Sequence, residues 1–444
     1  APLNLNGATD NGYVLLKHET EIGSGDDAKV EFYSLYMHLE ALEATIVADA
    51  KIYRKDLLGT PGRVDGTNAF HFQIFCDDIN IQRLTGRNTR ELDISRDGRT
   101  DAVYGDIHFY LPAGTKFYDL APENNIASIT ESTELYTNNR PLYVSMTLAQ
   151  GSCTMVTRQE NTQTEGKYDL LGEPLVNADG EDYEYNLYKT AMRNYKESPS
   201  AGFELLRFGR VINTEHETLV PADAPLWMTV NHPGGKGVVN LADPGVKKFS
   251  DADFPHWLGW HLINDDEDTN SQCNSKFINN IKAGENYDSL KGRLICRFPF
   301  EWNSKNLESR FSWLKNKRDG YEPMSDDEYN SFIKHAESLS IESGDFSIEK
   351  AWSFNSLNFI EHFRKNPWIE SDVIARIMTA NTNLKSTIEL EKINDESKKL
   401  QRSMNIIMNK YNIATLNRIS HFLGQGAVES GYLLLMQEVS QEQI

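Results

Sequence analysis

Residues 415–438 read Thr415-Leu-Asn-Arg-Ile-Ser-His-Phe-Leu-Gly-Gln-Gly-Ala-Val-Glu429-Ser-Gly-Tyr-Leu-Leu-Leu-Met-Gln-Glu438. Leu416, Ile419, Phe422, Leu423 and Ala427 recur at helical spacing, which predicts a buried stripe. Thr415 is placed to cap the helix, since its hydroxyl can accept a free backbone N–H of the first turn. His421, Gln425 and Glu429 follow at i, i+4 and i+8 and so share one face. Ser430-Gly431 breaks the helix and leaves Glu429 on its last turn. The negative end of the helix dipole disfavours a charged carboxylate there, and a carboxyl that keeps its proton suits a general acid. The plain alternative is a surface glutamate at a helix end.

The helical period extends back from this stretch to about residue 300. Ser325-Asp-Asp-Glu328 has the form of a capping box before Tyr329, Phe332 and Ile333. Leu357, Phe359, Ile360 and Phe363 continue a buried face that Pro367 ends. Ser371 is positioned to cap a helix through Val373, Ile374 and Ile377. Residues 384–402 are densely charged and read as an exposed helix or a loop. Trp302, Trp313, Trp352 and Trp368 accompany this part and are expected mainly in its core.

The first half has a different period. Gly12–His18, Glu31–Leu39 and Phe70–Phe75 alternate as strands, and Gly59, Pro61 and Gly62 punctuate a turn. Residues 79–150 read as further β sequence, with Tyr104–Leu111 its clearest strand and His108 a structural residue within it. Residues 151–250 read as short strands between turns. Leu226–Val230 and Gly237–Leu241 form a hairpin across Pro-Gly-Gly. The fold class is therefore multidomain α+β, with a β-rich N-terminal half and a mainly helical C-terminal half. The expected units are 1–112, 113–250, an acidic and aromatic linker at 251–300, and 301–444.

The chain has 444 residues and a net charge of −20. That charge argues against affinity for nucleic acid phosphates and against electrostatic attraction to anionic lipid. No apolar run approaches the length of a membrane span, and the first residues have neither a basic nor an apolar signal segment. Synthesis in the cytoplasm without a signal peptide is the expectation. Cys76, Cys153, Cys273 and Cys296 lack metal-type spacing. Four buried thiols fit a chain folded in the cytoplasm, and Cys273–Cys296 is the nearest pair for a disulfide. Asp266, Asp268 and Asn270 have the 1, 3, 5 spacing of a calcium loop. Ser271 and Phe277 stand where an EF-hand has Gly and Glu, so an acidic loop without Ca2+ is the alternative.

Two stretches resemble known families. Ile419–Tyr432 is similar to the catalytic helix of lysozyme-like proteins related to family 19 glycoside hydrolases. The resemblance implies that Glu429 protonates the glycosidic oxygen and that His421 and Gln425 contact substrate. Val428 replaces the family's histidine. Glu438 is the nearest candidate for a second carboxylate, and Ile444 falls about where the family's substrate-binding half would begin.

The first half resembles the lysostaphin-like zinc metallopeptidases in three ordered motifs. These are Tyr36-Met-His38-Leu39, Lys55-Asp-Leu-Leu-Gly59 and Ala69-Phe-His71-Phe-Gln73. The resemblance implies a catalytic role for His38 and a Zn2+ ligand in His71. Ala69 replaces the first histidine of the last motif, and the family's upstream His-x-x-x-Asp pair has no counterpart. The hairpin at 226–241 is similar to the last one of a bacterial SH3-like wall-targeting module, or is a plain spacer.

Together these stretches resemble the bifunctional amidase-plus-lysozyme effectors of type VI secretion systems, and also phage tail lysins. That implies peptidoglycan as substrate, an immunity protein and secretion-apparatus components as partners, and action in a target periplasm without membrane insertion. The alternative is a non-catalytic structural or cargo component of a contractile injection system, with inactive enzyme-like domains.

Overall fold

The structure is a computed structural model that describes residues 4–5, 8–23, 28–129, 131–284, 286–318, 320–341, 348–380 and 386–436. The chain opens with strands β1 (Gly12–Glu21) and β2 (Lys29–Leu42), which pair antiparallel. Strand β3 (Gly59–Pro61) and strand β4 (His71–Cys76) both pair with β2. Leu35, Met37 and Phe75 point to one face of this sheet and are fully buried. Val30, Ile74 and Cys76 pack on the other. Helix α1 (Asp78–Thr85) follows, where the sequence suggested more strand. Asp77 caps it by accepting the Asn80 N–H, and Ile81 and Leu84, one turn apart, are buried. A local cap thus outweighs the β-rich surroundings.

Nine strands then build two sheets over one core. They are β5 (Ile107–Leu111), β6 (Lys116–Tyr118), β7 (Glu134–Thr137), β8 (Leu142–Ala149), β9 (Ser152–Glu160), β10 (Tyr168–Val176), β11 (Trp227–His232), β12 (Gly235–Asn240) and β13 (Lys247–Ser250). The five-stranded sheet has the order β10-β9-β8-β5-β13, and the four-stranded sheet β7-β6-β12-β11. Phe109, Val144, Met146, Met155, Phe117 and Val230 interleave between them. Phe109 and Phe117 are fully buried, which stabilises the fold by about 1.5–3 kcal/mol each.

The β11–β12 hairpin turns at Pro233-Gly234. Its sheet shares a core with β5 and β8, so it does not form a separate SH3-like module. Helices α2 (Leu187–Asn194) and α3 (Pro199–Phe208) complete the core, in a stretch that read only as strands and turns. Pro199 in the first turn and Gly209 in a left-handed C-cap were the local signals for α3.

The chain next returns to the first sheet. Strand β14 (His261–Ile263) pairs parallel with β15 (Leu294–Pro299), β15 pairs with β16 (Lys350–Phe354), and β16 pairs with β4. The finished sheet has the order β14-β15-β16-β4-β2-β1, with β3 beside β2. The boundaries drawn at 112, 250 and 300 therefore do not separate its strands. Residues 251–300 are no linker, since they supply two strands and the buried Phe254, Trp257 and Trp260. Pairing across such separations leaves no trace in local periodicity.

Helices α4 (Lys276–Lys282), α5 (Asp326–Ser338) and α6 (Ser356–Phe363) decorate this unit. The expected capping box at Ser325 and Glu328 is formed. Phe359 of α6 packs with Ile74 and Trp352 beneath the sheet. Trp302 and Trp352 are both buried, as expected of core tryptophans.

A buried polar chain ties the two units together. His108 of β5 lies 2.9 Å from Ser145 Oγ through Nδ1 and 3.3 Å from Asp251 Oδ1 through Nε2. Asp251 Oδ2 accepts from the Asp106 N–H and from Lys365 Nζ, each at 2.8 Å. His108 is thus the satisfied structural residue its strand context implied.

Helices α7 (Ser371–Thr379), α8 (Thr387–Lys410) and α9 (Leu416–Glu429) form a separate apolar cluster around Ile374, Ile393 and Leu423. Glu370, not Ser371, occupies the N-cap of α7, and without a capping side-chain bond. The charged stretch belongs to α8, which Ser386 and Glu389 open with a capping box. The second half is thus helical apart from strands such as β16, whose Ala351 and Trp352 reach the cores on opposite faces of the sheet. All four cysteines are free. Cys76 and Cys153 are buried, Cys273 is exposed and Cys296 is intermediate, so the expectation of four buried thiols holds for the first two and fails at Cys273 and Cys296. Among the described residues no helix is long and apolar enough to cross a membrane.

Candidate functional site

Strand alternation would send His38 to the face opposite Met37. The structure instead bulges β2 at this point: Leu39 pairs with Gly12 and Met37 with Tyr13, so His38 is the extra residue. Its φ of 63° is left-handed, which a residue with a Cβ adopts at a cost. Bulges of this kind re-aim a side chain. His71 sits directly opposite Met37 on β4. The Trp302 ring stands nearly perpendicular to both imidazoles, with centroids 6.3 Å from His38 and 5.3 Å from His71. The two histidines singled out in the sequence are therefore brought to one place.

The surroundings fix their chemistry. His38 Nδ1 lies 2.9 Å from the Asp10 carbonyl oxygen. A carbonyl only accepts, so Nδ1 carries the hydrogen and a neutral His38 keeps its lone pair on Nε2. The His38 carbonyl accepts the Gly62 N–H at 2.8 Å. A Cβ on Gly62 would lie 2.7 Å from that oxygen and 2.4 Å from Asp10 Oδ2, so only glycine fits there. Trp302 is held by Nε1–H donating to Gln73 Oε1 at 3.3 Å, and Gln73 Nε2 donates to Ser353 at 3.0 Å. His71 Nε2 is buried and has no hydrogen-bond partner among the described residues. Trp302 was missed as a part of this site, because its place above β2 and β4 follows from β15 joining their sheet.

An unpaired imidazole nitrogen is what a metal ligand would offer, but a tetrahedral zinc ion needs three or four. Position 69 is alanine. Among the described residues no group of three or more His, Cys, Asp or Glu side chains is disposed to hold a metal ion. The residues present do not fit Zn2+. Metal analysis after dialysis is expected to find well under one zinc per chain. One zinc per chain, lost in His71→Ala, would overturn this.

The residues at the C-terminal helix are placed differently. Thr415 Oγ accepts the Arg418 N–H, and the helix ends at Ser430. Leu423 and Ala427 are buried and Ile419 and Phe422 pack beside them. Leu416 departs from the expected stripe and is 70% exposed, because it precedes the turn that meets the cluster. His421, Gln425 and Glu429 share the solvent face. Gln425 Nε2 donates to Glu429 Oε1 at 2.6 Å. Glu438 lies outside the described residues.

In the acidic loop, Asp266 Oδ2 accepts the Asn274 N–H at 2.6 Å. Asp268 accepts from the Asn270 backbone at 3.0 Å and from the Asn274 amide at 2.7 Å. Asn270 Oδ1 accepts the Gln272 N–H at 2.8 Å. These oxygens accept protein N–H groups and shape the loop ahead of α4, whereas a calcium site needs six to eight oxygens turned to one point. EDTA and added Ca2+ are therefore expected to leave the melting temperature unchanged. A calcium-dependent rise that Asp268→Ala abolishes would show a bound ion.

Comparison of the sequence with protein-family models and with curated proteins, and of the fold with solved structures, finds no match.

Proposed function

We propose that the chain is a peptidoglycan hydrolase, cleaving the β-1,4 glycan backbone with Glu429 as general acid and delivered as a bacteriolytic effector. The observation that carries this reading is the solvent face of α9. Glu429 stands on its last turn, exposed, with Gln425 holding one carboxylate oxygen. The other oxygen is left to carry a proton to a leaving group. His421 lies two turns back on the same face, where a glycan strand could lie across it. A second group, for which Glu438 is next in sequence, would place water or stabilise the oxocarbenium ion. The sheet bearing His38 and His71 stands alongside as an amidase- or peptidase-like unit. The reading includes synthesis in the cytoplasm, delivery by a secretion apparatus, action in a target periplasm, and an immunity protein that protects the producer.

One observation favours a second reading, in which the enzyme-like sheet is a non-catalytic structural or cargo component. The indole of Trp302 packs against both histidines and His71 Nε2 stands without a partner among the described residues. Incubation with purified peptidoglycan separates the readings. New reducing ends report glycan cleavage, and new amines with free stem peptides report amide cleavage. Intact peptidoglycan after prolonged incubation of folded protein would leave the non-catalytic reading.

A further inference from the structure

A cleft of about 280 Å3 lies where α8 meets the loop at 100–104, the end of α3 and the segment 366–368. Most of its polar lining is spoken for. Glu204 takes Lys410 Nζ at 3.0 Å and the backbone N–H groups of Ile212 and Asn213 at 2.9 Å each. Asn405 spans the N–H and carbonyl of Ile369.

Three groups are left over. The indole Nε1 of Trp368 is buried without a hydrogen-bond partner among the described residues. A buried donor left unmade is costly, but this N–H has almost no accessible surface, so Trp368 serves the cleft as a side chain in its lining and not as a donor. The Arg402 guanidinium and the Glu215 carboxylate line the same cleft. Both are exposed, and neither forms an ion pair or side-chain hydrogen bond among the described residues. Two opposite charges therefore border one cavity without neutralising each other, while Phe208 and Ile212 give it an apolar wall.

We propose that this cleft binds a small zwitterion, an amino acid or dipeptide. Its carboxylate would meet Arg402, whose guanidinium can give parallel hydrogen bonds to a carboxylate's two oxygens, with the Trp368 side chain beside it in the lining. Its ammonium would face Glu215. The volume sits at the low end for ligand sites, which limits the occupant to this size. The inference is independent of the reading of Glu429.

The test uses alanylalanine as probe and follows the indole N–H signals by NMR, with Trp368 assigned by its loss in Trp368→Phe. Alanylalanine is expected to shift the Trp368 signal saturably. N-acetyl-alanylalanine, lacking the ammonium, and alanylalanine amide, lacking the carboxylate, should each bind at least about tenfold more weakly. Arg402→Gln and Glu215→Gln, both at exposed positions, should weaken alanylalanine by a similar factor. A Trp368 signal that stays put, or equal binding of the blocked peptides, would overturn the proposal. Should Trp368→Phe fail to fold, the melting temperature decides: a rise with alanylalanine in wild type that is absent in Arg402→Gln supports the site, and equal rises refute it.

Discussion

Glu429→Gln is expected to lower the release of glycan fragments from purified peptidoglycan by about 10²–10⁴-fold, the usual worth of general acid catalysis. The change keeps size and hydrogen-bonding capacity, and the new amide oxygen can still accept from Gln425. What it removes is the transferable proton. Glu429 is exposed and lies opposite Leu423 and Ala427, the residues that anchor α9, so the folded state should not notice. Circular dichroism and the melting temperature should match wild type. Gln425→Ala should have a smaller effect, because it frees the carboxylate to rotate but leaves the acid in place. Full activity in Glu429→Gln would move the catalytic carboxylate elsewhere, with Glu438 next to examine.

Asp251→Ala is expected to destabilise the protein by roughly 1–3 kcal/mol, the scale for leaving buried hydrogen-bonding groups without their partner. Asp251 is 1% exposed and receives His108, Lys365 and the Asp106 N–H. Removing it strands the fully buried His108 ring, whereas the half-exposed Lys365 ammonium can turn to water. Burial by itself would raise the pKa of this carboxyl, yet the hydrogen bond and charge of His108, with Lys365, overcome it and hold the group far below the ordinary carboxylate range. A depressed value means that the unfolded chain binds the proton first. The stability is therefore complete above the unfolded Asp value of about 3.9, and is lost as pH falls below it. Urea unfolding of wild type and Asp251→Ala should show a gap that is wide at neutral pH and narrows at strongly acid pH. A gap independent of pH would mean that the packing of residue 251, not its charge, is what counts.

Much of this molecule could be read from its sequence where the signal is local. The strand over Gly12–His18, the capping box at Ser325 and the Thr415 cap all follow from residues within a few positions of one another. His38 and His71 were also legible, but only as separate motifs. Their meeting depends on a bulge, which is one residue of register between β1 and β2 and has no periodic signature. The place of β16 was hidden for a different reason. Its Ala351 and Trp352 face two cores, so it lacks the alternation that marks a half-exposed strand. Helix α3, too, is buried nearly all round, which erases the amphipathic stripe by which helices are found.

The pairing of β4 with β16 joins Cys76 to Trp352 across the whole sandwich. A ribosome must therefore finish more than two hundred further residues after β4 before that strand gains its neighbour. During this interval the edge of β4, carrying Ile74 and Phe75, is an open template for other chains. The intervening sandwich has its own core and can close first, which shortens the loop that must be ordered when β16 arrives. Production of this protein should accordingly be limited less by its final stability than by what captures that edge while it waits.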